Sequence, residues 1–395
     1  MRALIVEDGL SRQALAAARA LAADGWGVGI GSPTASSVAA ASRSVAAWHR
    51  VGALSDGLDE FADDVSAAVS AGKYDLVFGA RDEDVAALAA IREGIDATVA
   101  HPELERIARA QDKLVLMQLG AAAGFSVPRT DAAEDGISER VAAGATLLVK
   151  PGVGRAAGTA LASKTAPPRR IDACEVNTPQ ELGEAVAAIE ACGDDAVVQE
   201  RIEGDLLALV VLVDRAGTVV RSFTQLAEKT WPLGTGISVR ARVIEPDRTL
   251  SDHAAKLVAE LGWSGIAQLQ FVVPQDEEPR LIDFNGRFYG SLALAAAAGC
   301  NISAAWARGV LSGSTPDPGE ARVGTRYHWA WGDLRRATQE RNGGLTRDIV
   351  SVPRFARGAA HSVFDRRDLR PGLRYLRRVA GRSGRRRLQP GGPPE

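Results

Sequence analysis

The sequence predicts a mixed architecture, a parallel α/β sheet domain over residues 1 to about 100 followed by a larger α+β region. Three observations carry this expectation. Short apolar strands alternate with Ala/Leu-rich helical segments up to residue 100, and beyond residue 146 turns begin to replace helices between strands. Residues 266–289 then read as a β-hairpin with one apolar face and one oxygen-rich face.

Taken in order, a strand at Ala3 to Glu7, a turn at Asp8-Gly9 and a helix from Ser11 to Ala23 open a β-α-β pattern, with Val28 to Gly31 as the next strand. A helix at Leu58 to Ala71, a strand at Leu76 to Gly79 and a helix at Asp84 to Glu93 continue it. Each strand is short and apolar, as a parallel strand covered on both faces should be. The loops after these strands hold Asp8, Ser11, Arg12, Arg81 and Asp82, where open α/β sheets bind ligands. Capping or a solvated surface charge explains each of them equally well. Residues 103–123 read as one helix, closed by Gly124 to Pro128. A strand at Thr146 to Lys150 leads into a glycine-rich loop ending at Gly158. A helix at Pro179 to Cys192, a strand at Ala196 to Glu200, a turn at Glu203-Gly204 and a strand at Leu206 to Val213 follow. Gln225 to Arg240, rich in Gly and Pro, does not resemble a packed element. Helices at Leu250 to Leu261 and Ser291 to Ala298 flank the hairpin, and the aromatic run Thr325 to Gly332 reads either as a terminal strand over the site or, the preferred reading, as cover for core.

The 395 residues are 46% apolar and 24% charged, enough for a full core and two or three domains. Cys174, Cys192 and Cys300 have no metal-ligand or disulfide spacing and read as small buried hydrophobes in a reducing cytosol. The N-terminus lacks the pattern of a signal peptide and no apolar run is long enough to span a bilayer, so a cytoplasmic protein without membrane partners is expected. Charge is uneven. Residues 354–395 hold twelve Arg and three acids, net +9, which leaves the rest at −11. The run Arg382 to Arg387 offers charge to nucleic acid or anionic lipid, but no aromatic residues interleave with it, so nucleic acid is not expected. A solvated, partly disordered terminus is the simpler expectation.

Within the hairpin, side chains alternate, placing Leu269, Phe271, Ile282 and Phe284 on one side and Gln268, Gln270, Asp283 and Asn285 on the other. With Pro274 to Pro279 as the loop, Val273 pairs with Arg280 and Gln270 falls opposite Asp283. A carboxylate and two amide oxygens suit Mg²⁺, a hard ion that shares its shell with waters and phosphates. Arg287 lies two residues beyond Asn285. Upstream, Lys150 at a strand end supplies positive charge, and Gly152, Gly154 and Gly158 allow backbone N–H groups to approach phosphate. The strand end Val197 to Gly204 can read a base edge through its backbone.

In that order, Gln111-Asp-Lys113, Leu147 to Pro151, Gln199 to Gly204, Gln268 to Phe271 and Leu281 to Phe288 resemble the ATP-grasp superfamily, in particular ligases similar to carbamoyl-phosphate synthase and D-alanine-D-alanine ligase. The resemblance covers about residues 1–310. It implies a Rossmann-like domain at 1–100, an ATP-grasp domain at 101–312 and a C-terminal extension at 313–395 with a basic tail. By the same match, Lys113 and Lys150 contact ATP phosphates, Glu200 and Ile202 hold the adenine through their backbone, and Asp205 or Glu203 contacts the ribose. Gln270, Asp283 and Asn285 become ligands of Mg²⁺ or Mn²⁺, and Arg287 the catalytic arginine. Two departures stand out: most members carry an acid in place of Gln270, which lowers the site's negative charge here, and many carry Glu in place of the shorter Asp283.

The implied reaction is ATP-dependent joining of a small carboxylate and an amine through an acyl phosphate, releasing ADP and phosphate. Activation of bicarbonate or carbamate, and non-catalytic nucleotide binding, are the alternatives. Lys229, Trp231 and Arg240, in the position of a substrate loop, and Ser291, at a helix start that favours anions, are the substrate candidates. The oligomeric state is left open, a homodimer being one option.

Overall fold

The computed structural model describes residues 1–133, 137–152, 173–232, 236–340 and 345–386. The first sheet contains β1 (Arg2–Val6), β2 (Gly27–Ser32), β3 (Val45–Arg50), β4 (Leu76–Gly79) and β5 (Thr98–Val99), all parallel and ordered β3-β2-β1-β4-β5. Helices α1 (Arg12–Ala23), α2 (Leu58–Gly72) and α3 (Asp82–Ala90) cover it. Alternate side chains of β1 enter two cores: Ala3 and Ile5 pack with the alanine face of α1, whereas Leu4 and Val6 pack with Phe61 and Val65 of α2. The Ser11 hydroxyl accepts from the Ala14 N–H and caps α1, so the chain leaving β1 turns sharply into a helix.

The single helix expected over 103–123 is two, α4 (Leu104–Gln111) and α5 (Lys113–Ala123). Asp112 adopts an extended backbone, and its carboxylate accepts from the N–H groups of Leu114 and Val115. An aspartate that satisfies the first free donors of a new helix breaks the old one. Lys113 thereby becomes the first residue of α5.

A four-stranded sheet follows, ordered β6-β9-β7-β8, from β6 (Thr130–Ala132), β7 (Leu147–Pro151), β8 (Cys174–Val176) and β9 (Ala196–Glu200). Helices α6 (Ile137–Ala142) and α7 (Pro179–Glu190) pack on it. The third sheet has seven strands, ordered β14-β13-β10-β11-β12-β15-β16: β10 (Asp205–Val213), β11 (Val219–Trp231), β12 (Ile237–Ile244), β13 (Gly265–Val273), β14 (Arg280–Asn285), β15 (Arg326–His328) and β16 (Ala360–His361). One face packs on α5 and on α8 (Arg248–Glu260), the other on α9 (Ala293–Ala297) and α10 (Ile302–Ser312).

Several expectations are corrected here. Gln225 to Arg240 is largely sheet: β11 and β12 bury Gln225, Ala227, Trp231, Val239 and Arg240. Their period of two was obscured by register shifts around Lys229 and by the intervening Pro-Gly segment. Cys174 is exposed and Cys192 half-buried, leaving Cys300 as the buried thiol. The basic terminus is helical through residue 386. Beyond α11 (Ala330–Glu340) and α12 (Leu345–Ala356), α13 (Leu369–Arg386) docks on the first sheet domain, Arg374 donating to the carbonyls of Ala35 and Ser37 and Arg378 to that of Gly9. Backbone carbonyls, rather than acidic side chains, receive these charges, which is why composition did not reveal the docking.

Candidate active site

The hairpin β13–β14 pairs Gln270 with Asp283 and Gln268 with Asn285. The route to that register differs from the expected one. Arg280 pairs with Val272, not Val273, and a shift between Gln270 and Phe271 restores the alignment. Two residues of β14, Ile282 and Asp283, therefore face the step from Phe271 to Gln270. As a result Leu281, not Ile282, joins Leu269, Phe271 and Phe284 in the core. The opposite face keeps Gln268, Gln270, Asp283 and Asn285 together. On β10, Ala208 lies beside Gln270 and, on β11, Gln225 beside Ala208, giving the cross-strand row Gln225-Ala208-Gln270-Asp283.

Three cationic side chains lie near these oxygens, Lys113 and Lys150 from other segments and Arg287 just beyond β14. Lys113, at the start of α5, forms a short ion pair with Asp283. Lys150, at the end of β7, donates to Gln199 Oε1 at 2.7 Å. Burial, reinforced by the neighbouring Lys113 ammonium and only partly opposed by Asp283, pushes the Lys150 amine down to about 8. Burial alone would raise the Asp283 carboxyl, but the Lys113 and Lys150 charges outweigh it and hold the group below its usual value. Arg287 Nη2 donates to Asn285 Oδ1 at 3.0 Å and pairs with Asp82 Oδ2 at 2.7 Å, while its buried Nε has no hydrogen-bond partner. Burial disfavours this guanidinium charge, yet Asp82 compensates and keeps it firmly protonated.

The donor set Gln270, Asp283 and Asn285 fits a hard divalent cation: all three groups offer oxygen, they share one face, and two already hold cationic side chains. Among the described residues no group of three or more His, Cys, Asp or Glu side chains is placed to hold a metal ion.

Gly152 is not available in the way its sequence context suggested. Its N–H donates to Asp195 O at 2.6 Å and its carbonyl accepts from the Lys113 N–H at 2.8 Å, so it clamps the start of α5 to the end of β7. Gly154 and Gly158 lie outside the described residues. The Glu200 N–H donates to Arg129 O, leaving its carbonyl as the group able to read a base edge. Ile202 sits in the connector between β9 and β10, and Asp205, exposed, begins β10.

Of the four substrate candidates, two are structural. Trp231 is buried against Trp329 and donates through Nε1 to Gln339 Oε1 at 2.6 Å. Arg240 alternates with the core residues Val239 and Ala241 and pairs with Asp333 Oδ2 at 2.7 Å on the other face of the sheet. Asp333 also accepts from His328 and Arg336. Burial would raise its carboxyl, but the bonds from His328 and Arg240 hold it at about 2. Lys229 is exposed. Ser291 is buried and accepts from Gln225 Nε2 at 2.7 Å; it lies before α9, whose five residues are too few for a dipole-driven anion site.

Beside Arg287 is a polar cavity of about 200 Å³, bounded by Asp8, Ser11 and Arg12 at the start of α1 and by Arg81, Asp82 and Glu83 at the start of α3. The sequence marked this edge of the first sheet but gave no sign that Arg287 would close it. Arg81 is occupied by Asp84, at 2.7 Å. Arg12 instead rests 3.7 Å from the ring centroid of Trp329 and donates to Tyr327 Oη at 3.0 Å and Ser362 Oγ at 3.3 Å. Tyr327 Oη donates in turn to Gly290 O. Tyr327, Trp329 and Ser362, more than 300 positions from Arg12 in the chain, carried no local signal linking them to it.

Residues 234–332 match a family described as ATP-grasp in the biosynthetic pathway with Ter operon. No curated protein sequence matches the chain. Solved structures resemble it at low identity. The biotin carboxylase domain of 2-oxoglutarate carboxylase from Hydrogenobacter thermophilus, solved with MgADP, ADP and bicarbonate, is 16% identical with a TM-score of 0.60, over 82% of this chain and 73% of that one. An L-amino acid ligase from Bacillus licheniformis is 15% identical with a TM-score of 0.60, over 82% and 78%. N5-carboxyaminoimidazole synthetase from Staphylococcus aureus is 15% identical with a TM-score of 0.59, over 80% and 78%.

Proposed function

From the premise that this chain has the ATP-grasp fold, we propose that it is an ATP-dependent carboxylate-amine ligase. The observation that carries the reading is that Lys113 and Arg287 bond to oxygens on one face of the hairpin while Lys150, held by Gln199, adds its charge near Asp283. A triphosphate with its divalent cation is the ligand that would use both: the phosphates would draw the lysines, and Gln270, Asp283 and Asn285 would hold the cation. That cation, Mg²⁺ or Mn²⁺, would supply charge neutralisation at the β- and γ-phosphates. The structural similarity of the solved relatives, at 15–16% identity, supports the fold alone; the activity rests on the residues.

In this reading the substrate carboxylate attacks the γ-phosphorus, ADP leaves, and an amine then opens the acyl phosphate to give an amide and phosphate. Lys150 and Lys113 hold phosphate oxygens, the phosphate taking over the charge that Asp283 now receives from Lys113. Arg287, fixed by Asp82, stabilises the transferring group at the border of the polar cavity. The carbonyl of Glu200 and the backbone of Ile202 hold the base, with Asp205 near the ribose. Arg12, which has no carboxylate partner among its described contacts, offers its guanidinium to an anionic group of the small substrate in the cavity.

The test is an ADP-release screen over paired carboxylates and amines, with products identified by mass spectrometry. ADP formation that requires both partners and yields an amide supports the ligase. ADP formation driven by bicarbonate alone would favour bicarbonate activation, and ATP binding without ADP release under any mixture would leave a nucleotide-binding protein.

A further inference from the structure

The helix α13 is divided lengthwise into three sectors. One sector docks: Pro371, Gly372 and Tyr375 are buried, Tyr375 Oη accepts from Trp329 Nε1, and Arg374 and Arg378 reach the carbonyls of the first domain. A second sector is a leucine stripe facing outward. Leu369, Leu373 and Leu376, spaced as one helical face, are 60%, 56% and 40% exposed. The third sector, beside that stripe, carries exposed Arg370 and Arg377, and exposed Arg366 and Arg367 precede the helix. Helical residues Arg382 and Arg385 continue the basic run in sequence.

A helix already held by its own protein gains nothing in the fold from presenting three leucines to water among arginines. Nucleic acid would use the arginines but not the leucines, and it would call for stacking aromatics. A stable dimer needs roughly 800 Å² on each partner, more than one sector of a single helix presents. An anionic bilayer surface uses both features, with leucines entering the headgroup–acyl boundary and arginines remaining at the phosphates. Among the described residues no helix is long and apolar enough to cross a membrane, so such contact is peripheral. We infer that α13 is a membrane-surface anchor that binds the protein reversibly to a bilayer rich in anionic lipid, through Leu369, Leu373 and Leu376 with Arg366, Arg367, Arg370 and Arg377. This inference is independent of the ligase reading.

The test is co-sedimentation of the full chain with vesicles of phosphatidylcholine alone or mixed with phosphatidylglycerol, at low and high salt. Binding only to the anionic vesicles, weakened by salt, is expected. The double variant Arg370→Gln/Arg377→Gln should lose about thirtyfold in partitioning, roughly fivefold per charge near the surface. Leu369→Ser/Leu373→Ser should also bind more weakly while its thermal unfolding is unchanged. Equal binding to both vesicle types, no binding to either, or double variants that bind like the parent protein would overturn the inference. So would sedimentation equilibrium showing a dimer that Leu369→Ser/Leu373→Ser dissociates, because the stripe would then belong to a second copy of the chain.

Discussion

Lys113 and Asp283 form an ion pair across 170 residues of sequence, joining the first turn of α5 to the middle of β14. In the proposed reading each holds the place of a charged ligand for the other: the ammonium stands where a cation would meet the carboxylate, and the carboxylate where phosphate would meet the lysine. Asp283→Asn should therefore cut ADP release by about a hundredfold or more, the usual loss when one aimed charge is removed from phosphoryl transfer. It should also raise the Mg²⁺ concentration needed for half-maximal rate. Steady-state assays across Mg²⁺ concentrations check both, and an unchanged Mg²⁺ requirement would remove Asp283 from the ligand set.

Arg287→Ala should fold and bind ATP yet lose about a hundredfold or more in turnover, roughly 3 kcal/mol of barrier. Thermal stabilisation by ATP measured beside ADP release separates the two effects. Near-normal turnover would refute its assignment to the transferring group.

Lys150 gives a pH signature. Its amine is pushed down to about 8 in the free protein, whereas an unfolded lysine keeps the ordinary value near 10.5. Between those values the unfolded chain binds the proton more strongly, so this residue's contribution to stability rises with pH from about 8 to 10.5 and falls as pH drops through 8. A bound triphosphate favours the charged form, and ATP binding above pH 8 must then take up a proton. ATP affinity should fall by up to about tenfold per pH unit above 8, and calorimetric titrations should find that slope flattened in Lys150→Met.

Arg12→Gln should raise the KM for a substrate bearing an anionic group while leaving ATP affinity as it was. Trp329→Leu, which removes the ring beneath Arg12, should move KM in the same direction by a smaller factor. Equal KM values in wild type and Arg12→Gln would place the anionic group elsewhere.

Asp333→Ala should destabilise the fold by about 3–5 kcal/mol, because it removes the buried carboxylate that Arg240, Arg336 and His328 share. Denaturant unfolding measures the loss. Arg240→Met should be destabilised as well, with its substrate KM unchanged, in keeping with a structural ion pair.

The alternation of strands and helices up to residue 100 and the two-faced hairpin were legible because each is a local periodicity, readable within ten or twenty residues. The pairing of Gln270 with Asp283 emerged for a partly different reason than expected, since the register shift at Phe271 compensates for one extra loop residue. Strands β11 and β12 were missed because their irregular pairing breaks the period of two. Arg240 and Trp231 looked like recognition residues because a buried charge and a Trp-Pro pair read the same way in sequence whether they meet a ligand or a neighbouring helix.

By itself the amino-acid order determined the strand alternation that sets Gln270, Asp283 and Asn285 on one face, and with the resemblance it nominated Lys113, Lys150 and Arg287 beside them as candidates for the chemistry. Tertiary structure decided what each of them faces. It put Asp82 against Arg287, Trp329 beneath Arg12, Asp195 on the Gly152 N–H and a leucine stripe on the outer side of α13. The physical reason is range: periodicity and capping act over a few residues, whereas the charge balance of a site depends on side chains that only folding brings within a few ångströms of one another.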